Sequence, residues 1–249
     1  MRLDIVLRTH DGGDVHPDTG RFLSVPKKEI VKRSVRSLHE SSKLAAGTDI
    51  TFHIIDDHSS SETVDFLNTI IEVEPLSGTG NNASWLRAFE RARDSEADAV
   101  YLVEDDYLHA PEALREMVFF YQDAREKSRG REMVLCPYDD FFNYVHGPDK
   151  TGYVVPGRER HWRTNTYTAG TFFISPKIVR EHWEKFERLA TLYETPQGKA
   201  EKVHEETTLA RIWMEGYATL FTPLPSLAVH LNQNIPPLFD WKTLWEKYA

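Results

Sequence analysis

Short apolar runs that end in polar or acidic turns alternate, through the first half of the chain, with stretches whose apolar residues recur at helical spacing. Leu3 to Thr9 is the first apolar run and reads as a strand; His10 to Pro26, rich in Gly, Asp and Pro, reads as a loop. Ile30, Val31, Val35, Leu38 and Leu44 predict a helix over Lys27 to Ala45. Ile50 to Ile55 follows as a buried strand, then a helix from Ser61 carrying Val64, Phe66, Leu67 and Ile70. A short strand over Glu72 to Leu76, a turn over Gly78 to Asn82 and a helix over Ala83 to Arg93 lead to a fourth strand, Ala99 to Val103. A helix starting near Pro111 and a strand over Met133 to Cys136 come next; the aromatic, Gly- and Pro-rich sequence to Asn165 predicts a functional loop region. Thr171 to Ile174 reads as a strand and Pro176 to Leu192 as one helix. A turn over Thr195 to Ala200 leads into a helix from Val203 to Glu215, then a strand over Ala218 to Phe221 and an irregular tail. Such alternation implies an α/β fold: a mostly parallel sheet with helices on both faces and ligands beyond the carboxyl ends of its strands.

Composition narrows the function. With 40% hydrophobic and 28% charged residues, the 249-residue chain reads as an ordinary folded protein, with no repeat or low-complexity tract. A net charge of −9 argues against nucleic acid as a partner, which requires a basic surface. Cys136 is the single cysteine, so no intrachain disulfide forms; this fits a reducing compartment, and a cytoplasmic location is expected. Arg2, Asp4 and Arg8 interrupt what would be the apolar core of a secretory signal. The uncharged stretch from Tyr217 to Phe239 carries Pro223, Pro225, Pro236 and Pro237, so no transmembrane segment is expected.

Two acidic clusters lie at strand ends. In Val103-Glu104-Asp105-Asp106-Tyr107, the alternate spacing of Glu104 and Asp106 suits a divalent metal bridged to phosphate oxygens, because Mg²⁺ and Mn²⁺ prefer oxygen ligands. The other reading is a solvated acidic turn, although three adjacent acids repel one another unless a cation neutralises them. In Ile54-Ile55-Asp56-Asp57-His58-Ser59, a carboxylate can accept hydrogen bonds from a nucleoside, or the segment caps the next helix through its serines.

The order strand–Arg8-Thr9, strand–Asp56-Asp57-His58-Ser59, Gly80-Asn81-Asn82, strand–Glu104-Asp105-Asp106 resembles the N-terminal half of family 2-like GT-A glycosyltransferases. The resemblance implies a Rossmann-like half over about residues 1–110 that binds a nucleotide-diphosphate-sugar, and an acceptor half over about 111–249, in one domain. It casts Asp57 as the nucleoside contact and Glu104-Asp105-Asp106 as the DXD motif, with Glu104 toward the ribose and Asp106 on Mn²⁺ or Mg²⁺; here Glu replaces the usual first Asp. Arg8, Thr9, Asn81, Asn82, Asp105 and Arg163 join the implied donor site. Tyr167 to Ile174, YTAGTFFI, resembles the family's acceptor-side strand, with Gly170 under the donor sugar. His204-Glu205-Glu206-Thr207-Thr208-Leu209-Ala210-Arg211 is similar to the family's Glu-Asp-x-x-Leu-x-x-Arg helix, which makes Glu206, or Glu205 beside it, the general base of an inverting transfer. His230 stands where several relatives place a third metal ligand; a lone His on an apolar run is otherwise a buried structural residue.

The implied partners are a UDP, GDP or dTDP sugar and a glycan or other hydroxyl acceptor. Arg158, Arg160, His161 and Arg163 form the densest basic run, which either clamps an anionic group or is simply solvated. Trp162, Tyr167 and Trp183 either stack on sugar rings or belong to the core. A nucleotidyltransferase shares the fold type but normally carries a basic Gly-rich loop after strand one, where this chain has His10-Asp11-Gly12-Gly13. A receiver-like phosphoacceptor domain is much shorter and requires a late lysine. A sugar-binding protein without catalysis is the remaining alternative, against which the Asp57, Glu104, Asp106 and Glu206 set argues.

Overall fold

A computed structural model of the chain describes residues 1–12, 23, 25–140, 152–166, 168, 170–192, 203, 205–231 and 240–249. The strands are β1 (Arg2–Thr9), β2 (Asp49–Asp56), β3 (Val73–Pro75), β4 (Ala99–Glu104), β5 (Tyr107–His109), β6 (Met133–Leu135), β7 (Val154–Pro156), β8 (His161–Thr164), β9 (Phe172–Ile174), β10 (Thr219–Leu224) and β11 (Ala228–His230). The helices are α1 (Lys27–Lys43), α2 (Ser61–Asn68), α3 (Gly80–Asp94), α4 (Ala113–Lys127), α5 (Pro176–Glu181), α6 (Trp183–Leu192), α7 (Ala210–Met214) and α8 (Trp241–Lys247), with a 3₁₀ turn over Glu205–Thr207.

One sheet takes the order β3-β2-β1-β4-β9-β6-β10-β8-β7, and β11-β5 forms a separate ribbon. The β3, β2, β1 and β4 strands run parallel, as βα alternation requires, whereas β9 and β8 run against the rest. Alternating side chains bury both faces. On one face Leu3, Ile5 and Leu7 of β1, with Ile54, Tyr101 and Val103, pack on α1 and α4 through Val31, Val35, Leu38, Leu114 and Met117. Val6, Ile55, Val100 and Leu102 face the other way, toward Trp85, Ala88, Phe89, Phe186 and Ile212 of α3, α6 and α7. Among the described residues no helix is long and apolar enough to cross a membrane.

Several elements differ from the sequence pattern. The α3 helix starts at Gly80, inside the expected Gly-Thr-Gly-Asn-Asn turn. The expected loop before Asn165 contains the β7–β8 hairpin, and the expected single helix over Pro176 to Leu192 divides at His182. In place of a continuous helix from Val203, the chain makes the 3₁₀ turn and the short α7. The β5–β11 ribbon and α8 carry no periodicity in the sequence, because elements this short cannot show one.

The buried face of α1 carries serines as well as aliphatic residues, and they hold the next layer in place. Ser37 Oγ accepts the His109 backbone N–H at 2.9 Å, and Ser41 Oγ accepts that of Leu114 at 2.9 Å. Ser37→Ala leaves the His109 N–H buried and unpaired, which costs about 1–3 kcal/mol. A urea titration is expected to show a lower midpoint with an unchanged slope; an unmoved midpoint would mean that β5 does not depend on this hydroxyl.

Candidate active site

The carboxyl ends of β2, β1 and β4 form one rim, and strand register decides which side chains meet there. Arg8 lies opposite Glu104 and Thr9 opposite Asp56 in the parallel ladder. Val6 and Leu102 face α3, so Arg8 and Glu104, two residues further along each strand, point to that same side. In the antiparallel β4–β9 ladder Leu102 pairs with Phe172, and continuing that register brings Glu104 opposite Gly170.

Three acids in a row then acquire three different basic neighbours. Arg8 Nη2 donates to Glu104 Oε1 at 2.8 Å. The same guanidinium reaches Ser84 Oγ at 2.8 Å and Asn81 Oδ1 at 3.0 Å through Nη1, and lies 5.0 Å over the Trp85 ring. Lys27 Nζ sits 2.5 Å from Asp105 Oδ1 and 3.9 Å from Asp106 Oδ2, while the His10 backbone N–H donates to Asp105 Oδ2 at 2.7 Å. Asp106 Oδ2 lies 3.3 Å from His230 Nε2. Glu104, Asp106 and His230 each place one ligand atom within 4.8 Å of the other two.

Burial pushes the Glu104 carboxyl above its usual range and the Asp106 charge adds to this, against the pull of Arg8. Burial alone would lower the His230 pKa, but the charge and hydrogen bond of Asp106, together with Glu104, outweigh it and raise it. Arg8 is shifted down by burial, with Glu104 opposing. Two carboxylates and an imidazole at this separation form a donor set that fits a divalent cation, the oxygens suiting Mn²⁺ or Mg²⁺ and the imidazole a softer ion.

The second acidic cluster divides its work. Asp56 is structural: Thr9 Oγ1 donates to its Oδ1 at 2.8 Å and the Ser59 N–H to its Oδ2 at 2.9 Å. Asp57, also buried, receives the Gly80 N–H on Oδ2 at 2.8 Å and contacts His58 Nδ1 through Oδ1 at 3.0 Å. Gly80 has φ +87°, a conformation that favours glycine, and it lets α3 begin directly against Asp57. The first turn of α3 thus touches Asp57 through Gly80 and the Arg8–Glu104 pair through Asn81 and Ser84; Asn82 is half-buried in that same turn.

Gly170 has φ +83°, and a Cβ there would stand 2.5 Å from Glu104 Oε2. Thr171 Oγ1 accepts the Glu104 N–H at 3.1 Å, so both residues fix the acid. Glu205, on the 3₁₀ turn, receives the Thr168 N–H on Oε1 at 3.2 Å, next to the same strand entry. The Glu206 side chain, Tyr167 and His204 lie outside the described residues, as does the expected turn over 195–200. Arg163 on β8 forms an ion pair with the buried Asp139.

Two other members of the basic run are tied to acids. Arg158 pairs with Asp123 through two nitrogens, and Arg160 bonds Glu112 and the Pro225 carbonyl. Trp162 is fully buried and stacks on Phe120 at 4.3 Å, and Trp183 lies under Arg93. Sequence reasoning missed Lys27, Ser84 and Tyr107. Only Tyr107 carried a signal, as the residue directly following the acidic triplet; Lys27 and Ser84 reach the site through α1 and α3 packing, which no local pattern encodes.

The sequence matches no protein-family model and no curated protein. Solved structures with a similar fold exist. S. aureus TarS 1–349 in complex with UDP is 13% identical and superposes with a TM-score of 0.52 over 89% of this chain and 60% of that one. S. aureus TarS gives 0.50 at 12% identity, covering 89% of this chain and 36% of that one. The galactosyltransferase LgtC in complex with donor and acceptor sugar analogs gives 0.45 at 11% identity, over 87% and 72% of the two chains. The chain therefore spans less than two thirds of the TarS chains it resembles. Its fold is that of the GT-A glycosyltransferases.

Proposed function

We propose that the chain is a metal-dependent glycosyltransferase that moves a sugar from a nucleotide-diphosphate donor to a hydroxyl acceptor with inversion. The observation that carries this reading is the convergence of Glu104, Asp106 and His230 at the sheet rim, beside Arg8 and joined to Asp57 through the start of α3. Residues 1–110 supply the donor side and residues 111–249 the acceptor side.

Asp106 and His230 would hold Mn²⁺ in preference to Mg²⁺, given the imidazole, and Glu104 would turn its outer oxygen to the ribose. The metal, when bound, supplies positive charge to the departing diphosphate. Asp57 accepts a hydrogen bond from the nucleoside. Arg8 holds Glu104 in place; Asn81, Asn82 and the amide groups at the start of α3 offer donors on the diphosphate side. Asp105 and Thr9 brace the rim through Lys27 and Asp56. The acceptor oxygen attacks the anomeric carbon, its proton passes to the Glu206 carboxylate, and the bond to the diphosphate breaks with its electron pair leaving on phosphate oxygen. Glu205 then positions the Thr168 backbone. Arg163 joins the donor site from β8, where Asp139 pairs with it. The single buried thiol, Cys136, agrees with work in the cytoplasm.

TarS was solved with UDP, which makes UDP the first nucleotide to test. A thermal-shift assay is expected to show stabilisation by UDP, GDP or dTDP that grows with Mn²⁺. Asp106→Ala should abolish the Mn²⁺-dependent part; equal stabilisation of variant and parent would remove Asp106 from the metal site. Glu206→Gln should retain donor affinity while transfer falls about 100-fold or more, in line with the usual worth of a general base. Undiminished turnover in a radiolabelled-donor assay would exclude Glu206 from that role. Gly170→Ala should strain the backbone by about 1–2 kcal/mol and push the Glu104 carboxylate aside. Calorimetry is then expected to show a lower unfolding midpoint together with weaker nucleotide binding; unchanged nucleotide affinity would show that Glu104 does not depend on the space at Gly170.

A further inference from the structure

His230 comes from the far end of the chain, yet it must meet Asp106 to within a few tenths of an ångström if the two are to share an ion. Backbone pairing does the coarse work. Among the described residues β11 pairs with β5, with His230 opposite Tyr107 and Val229 opposite Leu108. The Leu231 N–H donates to the Asp106 carbonyl at 2.8 Å and the Ala110 N–H to the Leu227 carbonyl at 2.8 Å, closing both ends of the ribbon. A ladder fixes the Cα of His230 but leaves its ring free to rotate about the side-chain torsions.

We propose that Tyr107 is a positioning residue whose ring forms the platform that orients the His230 imidazole toward Asp106. The inference rests on the metal reading above. The two rings stack at 4.6 Å with planes 8° apart. Tyr138 closes the corner edge-on, 6.2 Å from each ring and at 86° to Tyr107 and 82° to His230. Tyr107 is fully buried, so its ring cannot swing away without opening the core. The stack leaves the imidazole edge, and with it Nε2, directed at Asp106 Oδ2 at 3.3 Å. The negative face of a phenol ring also favours an electron-poor partner, which a protonated or metal-bound imidazole is. Tyr107 follows the acidic motif without a gap, so one short segment supplies the Asp106 ligand and the support for the histidine that completes the set.

Mn²⁺ affinity of the full chain, read from the electron paramagnetic resonance of free Mn²⁺, tests this. Tyr107→Phe keeps the ring and should bind within about twofold of the parent, whereas Tyr107→Met fills the space without a platform and should bind about tenfold more weakly, as loss of ligand support commonly does. His230→Ala should lose at least as much. The double variant Tyr107→Met/His230→Ala should be no weaker than His230→Ala alone, because the platform has nothing left to hold. Full additivity, or parent-like affinity in Tyr107→Met, overturns the proposal. In the metal-free protein, ring-current effects should move the His230 Cε1 proton upfield in the parent and in Tyr107→Phe. An unshifted proton in the parent overturns the stack even if Tyr107→Met does not fold. A parent with no measurable Mn²⁺ affinity overturns the metal reading itself, and the proton shift still decides whether Tyr107 orients the ring.

Discussion

Three consecutive carboxylates at the end of a buried strand repel one another, and the arrangement of this molecule follows from how that repulsion is relieved. Arg8 from β1 answers Glu104, Lys27 from the start of α1 answers Asp105, and His230 from β11 answers Asp106. Each basic group arrives on a different element, so the acidic triplet gathers β1, α1 and β11 around one point. The basic neighbours are unequal. A guanidinium and an ammonium are not metal ligands, whereas an imidazole can be one. The asymmetry leaves Asp106 as the acid whose neighbour can share an ion with it.

Strand β4 is the pivot of this arrangement. On one side it runs parallel to β1, which aligns Arg8 with Glu104; on the other it runs antiparallel to β9, which delivers Gly170 against the same carboxylate. A sheet parallel throughout would need a crossover helix at that junction and could not bring a glycine turn so close to a strand end. The switch in strand direction also marks where the Rossmann-like pattern of the first half stops and the less regular second half begins.

The legibility of the sequence tracks this division. The β1, β2 and β4 strands and the α1 and α2 helices are buried on faces wide enough to impress their period on the sequence, and their bounds are readable to within a residue or two at most ends. Asp57, Glu104 and Asp106 are readable because they close such strands. The second half is less so. The β7–β8 hairpin has three exposed positions among its seven strand residues and a charge run across its turn, so it looks like a loop. Only the partners Asp123, Glu112 and Asp139, distant in sequence, reveal that Arg158, Arg160 and Arg163 are tied down. His182 interrupts what looks like one amphipathic helix, and the Glu205–Thr207 turn replaces a helix whose apolar spacing, at Leu209, Ile212 and Trp213, is nevertheless real and buried. Period detects a buried face but not the break in the backbone that carries it.

The placement of His230 joins the two halves energetically. Asp106 and Tyr107 belong to the segment that follows β4, while His230 belongs to a ribbon strand whose Ala228 and Val229 are buried in the core and whose ring contacts reach Tyr107 and Tyr138. On the metal reading, an ion shared by Asp106 and His230 binds only when the ribbon is in place, and mass action would then stabilise the ribbon in proportion to occupancy. The acidic triplet would in that case do more than hold a cation: through His230 it would tie the ribbon of the second half to the strand ends of the first.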